Sequence, residues 1–103
     1  MRPIPLDLRE EMSKEKYYKK CCLCGSSPVQ WHHNLVFASK QVNEKEAILP
    51  VCEVCHNLAR NTEVKEKLDL IMLTRMSPEQ MTKYSKAANL FQRYNYLTRK
   101  YPL

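Results

Sequence analysis

The chain has 103 residues, 44% of them hydrophobic and 27% charged, with 17 Lys+Arg against 11 Asp+Glu for a net charge of +6. That length leaves room for one small domain with a modest core, the kind that often needs a metal or a partner as a staple. No apolar run reaches signal-peptide or membrane-span length, which argues against a secreted or membrane-embedded chain and for a cytoplasmic one; a bacterial or phage-encoded protein fits equally well.

The first predicted element covers residues 7–19, DLREEMSKEKYYK: Asp7 as a helix cap, Glu10 three residues on, and Leu8 and Met12 four apart. From Lys20 to Val51 the pattern turns short and turn-rich, with two strand-sized stretches, VQWHH and AILPV. Beyond Glu53, Val54 and Leu58 stand four apart, and Val64, Leu68, Ile71 and Met72 keep helical spacing. Thr62 is a candidate cap between them, so one bent helix and two consecutive helices both fit. SPEQ at 77–80 is a helix start with Ser77 as cap, Pro78 at the first position and Gln80 completing a capping box. The helix after it is expected to stack Met81, Tyr84, Ala88 and Phe91 on one side. Lys86, Arg93 and Lys100 fall on the other, with Leu90 and Leu97 intruding near the basic side. Those leucines would pack against the chain itself or against a second subunit, which makes a homodimer through the C-terminal helix a candidate assembly.

Charge is uneven along this order. From Arg75 onward there are six basic residues and one acid, Glu79, so nearly the whole excess lies in the C-terminal segment. A basic surface of this kind points to a polyanionic partner, nucleic acid first, with Lys83, Lys86 and Arg93 as candidate phosphate contacts. Tyr17 and Tyr18, amid KEKYYKK, either touch nucleic acid or sit on a solvated face.

Five cysteines are present, four of them in two C-x-x-C pairs, Cys21/Cys24 and Cys52/Cys55. Two such knuckles supply four thiolates for one tetrahedral structural Zn2+, and the repeated doublet has no explanation in packing alone. Gly25 closes the first knuckle with a residue that tolerates a left-handed turn. The knuckles are 27 residues apart, more than the roughly 15–20 of common zinc ribbons, so a sizeable segment is inserted between them. Cys22 is the spare thiol, although a register using Cys22 with Cys24 stays open.

The inserted segment contains WHHN at 31–34, and His56 directly follows Cys55. Neighbouring strand residues point to opposite faces, so His32 and His33 are not expected to chelate one ion together. C-x-x-C, then HH, a loop, and C-x-x-C-H, spanning residues 21–61, resembles the zinc-knuckle branch of the His-Asn-His (HNH) endonucleases, whose fold is ββα-metal. The resemblance implies a small zinc-stapled ββα-metal core over 21–61; with the N-terminal helical arm and the helical, basic extension over 62–103 read from spacing and charge, the chain is expected to be one α+β domain. It implies His32 and His56 as ligands of a catalytic ion and His33 as the general base that activates water. The ion would be Mg2+ or Mn2+, with Ni2+ or Zn2+ as further candidates because the ligands are imidazoles.

Two positions depart from the family pattern. Its middle Asn position carries Ala47, leaving Asn43 or Asn34 to orient the base. A position that holds a third ligand histidine in some members carries Arg60, suited to phosphate. The implied activity is metal-dependent hydrolysis of DNA phosphodiester bonds, with low sequence specificity because no base-reading module is evident. The alternative is a non-catalytic zinc-knuckle module that binds DNA or a protein, such as a recombination or repair accessory. Trp31 and Phe37 are expected to be core fillers of the ββ hairpin.

Overall fold

The computed structural model describes residues 4–37, 40–85 and 89–101. In chain order these form α1 (Leu6–Ser13), β1 (Gln30–His33), β2 (Val36–Phe37), β3 (Lys40–Gln41), β4 (Ile48–Val51), α2 (Glu53–Leu58), α3 (Thr62–Arg75), α4 (Pro78–Tyr84) and α5 (Leu90–Lys100). The fold is α+β, helices around a two-stranded antiparallel sheet.

The two strand-sized stretches are β1 and β4, paired antiparallel with Trp31 opposite Pro50, His32 opposite Leu49 and His33 opposite Ile48. The segment between them doubles back through a second small ladder, β2 with β3. Pro50 is tolerated because β4 pairs on one side only, so its missing N–H interrupts no second ladder. All four residues of β4 are buried. Side chains alternate along a strand, and the strand accordingly serves two cores. Leu49 and Val51 join Leu68, Met72, Leu73, Leu90 and Leu97 in the main one. Ile48 joins Met12 and Tyr18, with Leu8 and Trp31 packed alongside. Trp31 is thus a core filler, its Nε1 donating to the Tyr18 carbonyl at 3.0 Å; the side chain of Phe37 lies outside the described set.

The N-terminal helix is shorter than its periodicity predicts. It starts at Leu6 behind Pro5, places Asp7 in the first turn instead of at the cap, and stops at Ser13. A 3-10 turn over Lys16–Lys19 follows and drives Tyr18 inward. The buried Tyr18 hydroxyl donates to the Lys45 carbonyl and accepts from Arg75 Nη1 at 2.9 Å. The Arg75 guanidinium also lies 3.9 Å from the Tyr17 ring centre. A satisfied, buried aromatic of this size outweighs two further turns of an exposed, lysine-rich helix.

After the second knuckle there are two helices, and the cap between them is Asn61, not Thr62. Its Oδ1 accepts from Glu63 N at 2.9 Å and Val64 N at 3.4 Å. Ser77 caps α4 with the full capping box: Gln80 N donates to Ser77 Oγ, and Ser77 N donates to Gln80 Oε1.

The continuous helix expected beyond this point is not formed. α4 ends at Tyr84, and Asn89 starts α5 afresh by accepting from Gln92 N at 3.1 Å. This new cap resets the helical phase. Leu90 and Leu97 face the core with Tyr94 and Tyr101 beside them, whereas Phe91, expected on the stacked side, is 43% exposed. Ala88 and Lys86 lie outside the described residues.

Candidate metal and histidine site

The first knuckle folds tightly on itself. Gly25 N donates to the Cys21 carbonyl at 2.9 Å, Cys21 N donates to the Ser26 carbonyl at 2.8 Å, and Gly25 takes φ +76°, a left-handed conformation that suits glycine. The second knuckle is the start of α2: Cys52 is its N-cap, with Sγ accepting from Cys55 N. Main-chain pairing joins the knuckles through Cys22 N, which donates to the Pro50 carbonyl at 2.9 Å.

The four sulfurs of Cys21, Cys24, Cys52 and Cys55 converge within 4.8 Å of one another. Cys24 Sγ lies 3.6 Å from Cys52 Sγ and 3.7 Å from Cys55 Sγ. The hydroxyl and backbone of Ser26, with help from neighbouring thiols, lower the Cys24 thiol to about 6. Burial pushes Cys21 up, but the surrounding backbone amides outweigh it and leave that thiol lowered. Burial and the adjacent sulfurs push Cys55 strongly up. Four clustered thiols cannot all ionise on their own, and a dication bound by four thiolates removes that conflict. The group could hold a metal ion such as Zn2+, and its donor chemistry fits a closed structural site. Cys22 is outside this cluster; its thiol, half-buried, is pushed up to about 11 by burial and the charge of Cys21.

The three histidines divide between two faces. His32 on β1 and His56 on α2 meet edge to face, ring centres 5.3 Å apart. His32 Nδ1 is buried with no hydrogen-bond partner among the described residues. Burial, then the proximity of His56 and Lys65, lowers His32 to about 4, so its imidazole is neutral at physiological pH. A neutral ring with an orphaned nitrogen facing a second imidazole fits a metal-ligand pair.

His33 turns the other way and is buried. Its Nε2 lies 3.0 Å from Asn43 Oδ1. An amide oxygen carries no hydrogen, so Nε2 is the donor in this contact. Of the two candidate asparagines, the one at His33 is therefore Asn43.

Asn34 has a different task. Its Nδ2 donates to Asp69 Oδ1 at 2.9 Å, while Lys65 Nζ donates to Asn34 Oδ1 at 3.1 Å and to Asp69 at 2.8 Å. Arg93 Nη2 closes the set on Asp69 Oδ2 at 3.1 Å. Arg93, a candidate phosphate contact, is ion-paired to Asp69, the phase of α5 turning it toward α3. Lys100 is likewise tied, to Glu66 at 2.9 Å. Lys83 is exposed on α4, with Glu44 a distant 3.9 Å away. Arg60 is exposed in the turn after α2, and Lys86 is not among the described residues.

The Asn34–Lys65–Asp69–Arg93 network was not foreseen from the sequence. Lys65 and Asp69 do stand four apart on a helix, a spacing that signals an ion pair; the long-range partners carry no local mark. Among the described residues, no helix is long and apolar enough to cross a membrane. Comparison with protein-family models, curated proteins and solved structures gives no match.

Proposed function

We propose that the chain is a metal-dependent endonuclease of the HNH type, with a ββα-metal core made of β1, β4 and α2. The observation that carries this reading is the division of labour among the histidines: His32 and His56 face each other across β1 and α2, and His33 points away to Asn43. His32 and His56 would hold the ion, Mg2+ or Mn2+ in the first instance. Such an ion would supply charge to polarise a phosphodiester and to stabilise the departing oxygen. His33, its ring oriented by Asn43, takes the proton of the attacking water on Nδ1, a role for which an imidazole is suited near neutral pH. Arg60 and Lys83 hold the phosphate backbone. The cysteine cluster is a structural Zn2+ site that fixes the start of α2 and hence His56. Its thiols suit the reducing cytoplasm.

The burial of His33, 8% exposed, favours a second reading, a zinc-knuckle module that binds DNA or a protein without cutting. One experiment separates the two. Supercoiled plasmid is incubated with the pure protein across Mg2+, Mn2+, Ni2+ and Zn2+, with a chelator control, for the wild type and His33→Ala. Nuclease action predicts ion-dependent nicking that His33→Ala reduces by about 10²–10⁴-fold while DNA binding persists. DNA binding without nicking in any ion gives the second reading.

A further inference from the structure

We propose that the cavity between α3 and α5 receives one unpaired nucleotide of a DNA strand, with its base against Tyr96. The inference takes its ligand class from the nucleic-acid reading above, but it does not depend on cleavage.

The cavity has a volume of about 710 Å³, within the range of about 300–1,000 Å³ typical of small-ligand sites and ample for one nucleotide. Its floor is apolar, made by Leu35, Met72, Leu73 and Leu90, all of them buried. Its rim is polar: the side chains of Asn89 and Gln92 are exposed there, beside Tyr96, which is 50% exposed. Apolar faces with hydrogen-bonding edges describe a nucleobase, and an aromatic plane with neighbouring cations is how proteins stack bases without regard to sequence. The cations are present, with Arg93 6.0 Å and Lys100 5.8 Å from the centre of the Tyr96 ring.

Charge favours a phosphate at the same place. Lys65 and Arg93 share the single carboxylate of Asp69 at the cavity wall, which leaves one cation in excess. The surface groove continuing past Tyr96 adds Arg99 and Lys100, with Glu66 answering only the latter. A lipid chain would leave these cations and carboxamides without use, and an acidic peptide would leave the exposed tyrosine plane without use.

The shape selects an unpaired base. A base within a duplex can enter a cavity walled by two helices only by leaving its stack, at a cost of a few kcal/mol, and that cost is least for a base already unpaired. Asn34, which lines the cavity, directly follows His33 in the chain, so the cavity adjoins the end of β1.

The test is binding, measured by fluorescence anisotropy without added Mg2+ or Mn2+. The probes are a labelled 20-nucleotide single strand, its full duplex, and that duplex with a one-nucleotide bulge. Thymidine monophosphate serves as competitor. The single strand and the bulge should bind about tenfold or more tighter than the duplex. Tyr96→Ala should lose about 5- to 150-fold on the single strand, the value of one stacked base, and bring the ratio toward one. Tyr96→Phe, which keeps the ring, should retain most of the selectivity. Zinc content and circular dichroism confirm that each variant is folded. Equal affinity for duplex and single strand, or an unaffected Tyr96→Ala, overturns this inference alone. Failure to bind any DNA overturns it together with the nucleic-acid reading. Displacement of the strand by the mononucleotide at a concentration near the strand's own Kd makes the cavity a free-nucleotide site and overturns it too.

Discussion

Replacing Asp69 with Asn keeps the side chain's shape and removes its charge, and the structure allows the consequence to be worked atom by atom. Oδ1 accepts from Asn34 at 2.9 Å and from Lys65 at 2.8 Å, and Oδ2 accepts from Arg93 at 3.1 Å. An amide has only one acceptor oxygen. It turns that oxygen to Asn34 and Lys65, presents its NH2 to the guanidinium, and so releases Arg93. Breaking a fully buried ion pair costs about 3–5 kcal/mol, and an exposed pair contributes only about 0–1 kcal/mol. Here the carboxylate side chain is 13% exposed, but the Lys65 and Arg93 side chains are 43% and 39% exposed, so solvent screens the cation ends. Roughly 1 kcal/mol for each weakened pair gives about 2 kcal/mol in all. Urea denaturation reads this directly. A cycle with Arg93→Ala isolates the pair: the loss in the double variant should be about 1 kcal/mol smaller than the sum of the two single losses. A loss below about 0.5 kcal/mol in Asp69→Asn, the size of an ordinary surface substitution, would refute the view that this carboxylate joins α3, α5 and the turn after β1.

One zinc per chain is expected by elemental analysis, and Cys52→Ser should lose both the metal and the fold by circular dichroism. A structural zinc contributes about 10–16 kcal/mol in small fingers, on the scale of a whole domain's stability of about 5–15 kcal/mol. Leu97→Ala, at a site with 0% exposure, should cost about 2–5 kcal/mol in urea denaturation, whereas Phe91→Ala should cost under about 1 kcal/mol; the reverse order would restore the continuous-helix phase. Hydrogen bonds from Lys100 and then Tyr101 hold the Glu66 carboxyl below its ordinary 4.5. A depressed carboxyl contributes stability that is complete above the unfolded value and is lost as pH falls through the folded one. Stability should therefore fall below about pH 4.5 in the wild type and less steeply there in Glu66→Gln, as followed by urea midpoints at pH 7, 4 and 3.

The parts legible in the sequence were those set by short-range chemistry. The capping box at Ser77 and Gln80, the strands around WHH and ILPV, and the convergence of two C-x-x-C doublets all rest on patterns within a few residues. What escaped depended on distant partners. Nothing near Tyr18 announces that the carbonyl of Lys45 and the guanidinium of Arg75 await its hydroxyl, so the arm read as plain helix. Asn89 resembles any polar residue inside a helical stretch, and a single cap there moved Phe91 out and Leu97 in. At the candidate site, the adjacent histidines and the doublets were visible, but the choice between Asn43 and Asn34 needed the loop's path in space.

Strand β4 is a party wall. With Ile48 facing the N-terminal arm and Leu49 and Val51 facing the helical body, neither side opens without exposing the strand, so the two cores should melt together. The strand leads straight into Cys52, and the carbonyl of Pro50 anchors Cys22 in the other knuckle. The free energy of assembling four thiolates is drawn from that same unit, since metal affinity in a small domain includes the cost of ordering its ligands. The arm, which supplies no sulfur, would therefore set part of the grip on a metal held by the four cysteines: trimming residues before Cys21 should weaken that hold from the far side of the wall.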